Sequence, residues 1–135
     1  MLYVPHYYKD DIMELKLENQ AGDIRGKIFF FSYKNKRVNL LELKRGFSRG
    51  GHYHEFDSLH IIVSGKIEYH EENINTGKEK VIVVDSPRVI FTPLRNAHMI
   101  TALEDSMFVE VFDHQYNATN YPKYRSIIES KMNTS

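Results

Sequence analysis

The stretch GFSRGGHYHEFDSLHIIVSG, residues 46–65, carries two histidines two apart behind an Arg-Gly-Gly step, then a run in which Leu59, Ile61 and Val63 alternate with Ser58, His60 and Ile62. Residues two apart on a strand share a face, so His52 and His54 point the same way, and Ser58 and His60 likewise. Similar short runs, rich in β-branched and aromatic residues, recur on both sides. They span Met13–Leu17, Lys27–Tyr33, Arg37–Leu43, Ser58–Ser64, Lys66–His70, Lys80–Val84, Val89–Thr92, Ala97–Thr101 and Met107–Phe112. Nine short strands separated by Gly, Asn and Pro turns predict an all-β sandwich or barrel. Only the C-terminus reads as helix: Thr119 or Asn120 can cap, Pro122 suits a first turn, and Tyr124, Ile127, Ile128 and Met132 recur at helical spacing.

The 135 residues suit one domain, and neither repeat nor linker divides them. Residues 1–22 read as an N-terminal strand or arm, 23–112 as the barrel and 119–133 as the helix. Eighteen basic residues balance eighteen acidic ones, which argues against a nucleic-acid or anionic-membrane partner. No apolar segment is long enough for a membrane span and no secretory leader is visible, so the expected location is cytoplasmic. With no cysteine, histidine, carboxylate, tyrosine and arginine must carry any chemistry. A further histidine, His98, follows a proline turn in Pro93-Leu-Arg-Asn-Ala-His98, at the start of a strand that could lie across a barrel from the first pair.

These residues resemble the two motifs of the cupin superfamily, a small jelly-roll β-barrel. Gly46, His52, His54 and Gly65 match the first motif, with Ser58 in the place of its glutamate. Pro93 and His98 match the second, with Arg95 in the place of a glycine. The resemblance covers Lys27–Phe112 and implies a single-domain cupin. A narrower resemblance joins Asp23-x-Arg25-Gly26 and Arg49-Gly-Gly-His52-Tyr-His54 to cupins acting on nucleotide-linked sugars: the 3,5-epimerases, the 3,4-ketoisomerases and the cupin part of capsule-sugar reductases. It implies an isomerase or epimerase of a nucleotide-linked 4-keto sugar that works as a homodimer and needs no cofactor. Arg25 and Arg49 would contact the diphosphate, His52 with His54 would move the proton, and His98 or Tyr69 would contact the substrate. A histidine of ordinary pKa is suited to removing and returning a proton beside a ketone.

Two other readings stand beside this one. His52, His54, His60 and His98 together would form a cage acceptable to zinc, nickel, iron or copper, which points to a metal-dependent oxygenase or small-molecule isomerase. The same pocket without turnover would be a sugar or effector sensor. Outside the motifs, Tyr53 is expected to point away from His52 into packing or a subunit contact, Tyr69 to share a face with Ile67, which offers it the core as an alternative to the substrate, and Phe29-Phe30-Phe31 to lie on a strand buried on both faces. His6, His70 and His114 are expected at the surface.

Overall fold

The computed structural model describes residues 15–113 and 116–133. Most of the strand or arm expected at the N-terminus, together with His6 and His114, lies outside those residues. Among the described residues eleven strands and one helix follow in order: β1 (Leu15–Asp23), β2 (Gly26–Tyr33), β3 (Lys36–Leu43), β4 (Ser48–Tyr53), β5 (Ser58–Ser64), β6 (Lys66–Asn73), β7 (Glu79–Asp85), β8 (Arg88–Thr92), β9 (Asn96–Ala102), β10 (Ser106–Phe112), β11 (Thr119–Asn120) and α1 (Pro122–Asn133). They form two antiparallel sheets, one ordered β1-β2-β3-β10-β5-β8 and the other β11-β4-β9-β6-β7. This is an all-β, jelly-roll arrangement with a short C-terminal helix. Among the described residues no helix is long and apolar enough to cross a membrane.

Alternation builds the core between the sheets. On β5 Ser58, His60 and Ile62 are buried while Leu59 and Val63 are exposed. Leu41 and Leu43 from β3, Ile67 and Tyr69 from β6, Ile100 and Ala102 from β9 and Phe108 from β10 complete one apolar cluster. The other face of β9 is also covered, because Ala97 and Met99 pack against Tyr124 and Ile128 of α1. Tyr53 packs against this second cluster, on the side away from the barrel interior, as its position in the strand requires.

Several boundaries differ from the sequence expectation. β1 continues past the expected end at Leu17 to Asp23, with Met13 and Glu14 of the expected run outside the described residues, and all nine residues of Leu15–Asp23 are exposed. It is held by backbone pairing to β2, so it has no burial alternation for the sequence to display. β4 was absent from the apolar runs because Ser-Arg-Gly-Gly lacks an alternating pattern. The helix begins at Pro122; Thr119 and Asn120 instead pair with Tyr53 and His52 as β11. Phe29, Phe30 and Phe31 are only partly buried, and Phe30 lines a cavity.

Candidate metal centre and cavity

The Gly50-Gly51 step positions the first histidine. Gly50 pairs with Met99, but the next pairing is His52 with His98, so Gly51 is an extra residue in β4 and makes a bulge. Both glycines have positive φ, 103° and 76°. A Cβ on Gly50 would stand 2.8 Å from the His98 carbonyl oxygen, and one on Gly51 would stand 2.8 Å from Ile128 Cδ1. The bulge thus sets His52 opposite His98 while β4 stays seated under α1.

His54, just beyond the end of β4, folds back to the same place. Ring centroids are 4.7 Å apart for His52 and His54, 4.9 Å for His52 and His98, and 5.3 Å for His54 and His98. One nitrogen from each ring falls in a group whose members all lie within 4.8 Å of one another. His54 stacks on Phe56 at 4.5 Å, and its Nδ1 sits 2.5 Å from the Asn117 carbonyl oxygen. His98 Nδ1 lies 3.3 Å from the Asn96 carbonyl oxygen. A carbonyl accepts only, so both Nδ1 atoms carry the hydrogen and both Nε2 lone pairs are left for the centre.

Burial keeps these rings neutral. It lowers the His52 pKa to about 2, with smaller contributions from His98, His54 and Arg125. It lowers that of His98 to about 4, with His54 adding to the effect. His54 is lowered by burial against the opposing bond to Asn117, and His60 is held well below the ordinary value by burial. Ser58, in the place of the motif's glutamate, is buried with an Oγ that has no hydrogen-bond partner. Three neutral nitrogen donors with no carboxylate among them match the preferences of a borderline divalent transition metal, so these residues fit such an ion.

The set of three does not take in His60. Its ring centroid is 5.2 Å from that of His98, but its Nδ1 is engaged with Thr92 Oγ1 at 3.2 Å, which holds it beside the group. Tyr69, expected on the substrate, is instead a core residue: it is fully buried and its hydroxyl donates to Glu71 Oε1 at 2.7 Å. It is absent from the cavity wall and packs instead with Ile67 and Ile100 in the apolar cluster between the sheets. His70 is partly buried, with Nε2 2.6 Å from Glu68 Oε1.

A cavity of about 420 Å³ opens beside the histidines and has His52, Arg25 and Arg49 on its wall. Arg25 grips Asp23 at 2.7 Å, which lowers the Asp23 carboxyl to about 2. Arg49 is 5% exposed and donates to the carbonyls of Glu42 and Gly26, at 3.0 and 3.1 Å. Burial lowers its pKa to about 10, so it stays cationic at neutral pH. Sequence reasoning missed Arg37, Arg125 and Glu110, which share this wall. Glu110 was accessible to it, since it falls on the inward row of β10 between the buried Phe108 and Phe112. Burial raises Glu110 to about 7 against the opposing effects of a hydrogen bond from Asn39 and the charge of Arg49.

No protein-family model and no curated protein matches the sequence. Solved structures do. The capsular polysaccharide assembling protein CapF from Staphylococcus aureus matches with TM-score 0.69 and 18% identity, over 76% of this chain and 31% of that one. An oxalate decarboxylase from Bacillus subtilis, whose Mn(II) centres have been characterised, matches with TM-score 0.69 and 15% identity, over 87% of this chain and 35% of that one. The Lactobacillus farciminis oxalate decarboxylase, solved as a formate complex, matches with TM-score 0.68 and 17% identity, over 87% and 39%. The chain thus spans about a third of the length of these proteins. The fold is the cupin fold, here carrying a three-histidine group beside an arginine-lined cavity.

Proposed function

We propose that this chain is a metal-dependent cupin whose His52, His54 and His98 hold one divalent first-row transition ion, and whose cavity takes a small anionic substrate. The observation that carries this reading is the group of three neutral imidazoles with ligating nitrogens within 4.8 Å, two of them with Nδ1 held on backbone carbonyls. A bound ion would supply Lewis-acid polarisation of a substrate oxygen. Arg25 and Arg49 orient the anionic group, and the wall they share with Arg37 and Arg125 excludes a cationic ligand. Glu110, close to half-protonated near neutral pH, can give or take a proton at its carboxyl oxygen on the same wall. The test is metal analysis and calorimetry on protein stripped with chelator and then offered zinc, nickel, iron, copper or manganese. One ion per chain in the wild type and none in His98→Gln is the expected result. Failure of every ion to bind sinks the reading.

A second reading is the isomerase or epimerase of a nucleotide-linked 4-keto sugar. Arg25, Arg49 and His52 on one wall support it, as does the fold shared with CapF, a capsular polysaccharide assembling protein. Against it, a histidine held at about 2 is a weak base for removing a carbon-bound proton. Titration with thymidine and uridine diphosphates separates the two: tight binding weakened by Arg49→Ala, with solvent-deuterium exchange into a keto sugar, would favour the sugar reading. Binding without exchange would indicate the sensor. The homodimer belongs to the sugar reading, and sedimentation velocity on the full chain tests it.

A further inference from the structure

His60 stands beside the three-histidine group without joining it, and a buried chain of hydrogen bonds leads away from it. Its Nδ1 is 3.2 Å from Thr92 Oγ1, which is 2.7 Å from Tyr69 Oη, which is 2.7 Å from Glu71 Oε1. The other Glu71 oxygen accepts from Asn96 Nδ2 at 3.1 Å and lies 3.9 Å from Lys80 Nζ. His60, Thr92, Tyr69 and Glu71 are 2%, 1%, 0% and 8% exposed, so water does not compete along most of this path.

The chain has one direction. Glu71 is surrounded by donors and acts as acceptor at both oxygens. Tyr69 has one hydroxyl hydrogen and gives it to Glu71, so its oxygen accepts from Thr92. Thr92 then has no hydrogen left for His60, and its oxygen accepts from His60 Nδ1. A neutral imidazole carries a single N–H, so Nε2 is bare.

We infer that Glu71, Tyr69 and Thr92 fix His60 as its Nδ1–H tautomer, so that a fourth imidazole lone pair stands at the back of the three-histidine group. These are positioning residues acting through His60. They do from side chains what the carbonyls of Asn117 and Asn96 do for His54 and His98. His60 and Ser58 lie on the same buried face of β5, the face turned toward the interior between the sheets. The use of the lone pair would be to accept a hydrogen bond from a water near an ion that His52, His54 and His98 would hold, and that use rests on the metal reading; the tautomer does not.

Long-range proton–nitrogen correlation spectra of metal-free, nitrogen-15-labelled protein read the tautomer directly, with His60 assigned by its loss in His60→Gln. The wild type is expected to show Nδ1–H at His60. The near-isosteric Thr92→Val, and Tyr69→Phe as a second variant, are expected to turn that single form into a mixture of both tautomers while amide spectra stay native. Nε2–H at His60 in the wild type, or an unchanged Nδ1–H form in both variants, would overturn the inference. A protein that shows Nδ1–H at His60 and binds no metal would keep the chain and sink the metal reading.

Discussion

Gly50 and Gly51 do more for the site than their size suggests. They hold a bulge that turns β4 by one residue, and without it the register would place His52 on the wrong side of the strand. Gly50→Ala puts a methyl against the His98 carbonyl at a φ that an L side chain rarely adopts. The expected cost is at least about 1–3 kcal/mol in a denaturant titration, with metal binding lost before the fold is. Arg95 illustrates the opposite case. It occupies the motif's glycine position and adopts φ 60°, the left-handed conformation that a glycine would take there at no steric cost. Its bond to Glu55 is exposed on both sides and offsets little. Arg95→Gly is therefore expected to melt at or above the wild-type temperature, measured by thermal denaturation.

At the scale of elements, α1 forms the outer support of the site strands. Its Tyr124 and Ile128 cover Ala97 and Met99, and the Gly51 carbonyl accepts from the Tyr121 amide at 2.8 Å. Its N-terminal end is tied to the β6–β7 edge by Lys123 on Glu72 and Tyr124 on Glu79, and by Tyr121, the residue before it, on Glu72. Ile128→Ala should cost about 2–5 kcal/mol by urea denaturation, as for a fully buried aliphatic side chain, and should weaken metal binding because the bulge loses its backing. The helix was legible because its apolar residues recur at a period that no strand shares. β4 and β1 were legible only in part, the first around its histidines because glycine and arginine carry no pattern and the second only as far as Leu17 because neither of its faces is buried.

For the whole molecule the consequence is a pH dependence with two opposing parts. Folded His98 sits at about 4 against 6.5 unfolded, so its stabilising contribution is present above pH 6.5 and disappears as pH falls toward 4. That contribution is about 3 kcal/mol. Glu110 acts the other way: raised from 4.5 to about 7, it contributes below pH 4.5 and loses about 3 kcal/mol as pH rises through 7. The two nearly cancel, and the remaining depressed histidines, His52 first, decide the sign. Metal-free protein should therefore be less stable at pH 5 than at pH 8 in urea titrations. Glu110→Gln should be more stable than wild type at pH 8 and should show a steeper loss on acidification. A bound ion would raise the melting temperature with the logarithm of its concentration relative to its Kd, and chelator would reverse the rise.

By itself the amino-acid order determined the inward rows of the strands, the spacing of His52 and His54, the reappearance of His98 after a proline turn and the apolar face of the helix. Those properties depend on periodicity and on neighbours a few residues away. Only the tertiary structure decided that His98 meets His52 through β4–β9 pairing, that His60 stays outside the group, that Tyr69 belongs to the core and that Glu110 faces the arginines. The reason is that a side chain's face is fixed by local backbone geometry, whereas its partners are fixed by registers between strands far apart in sequence. Protonation follows the same division: burial and hydrogen-bond direction set it, and both are properties of the assembled sheets.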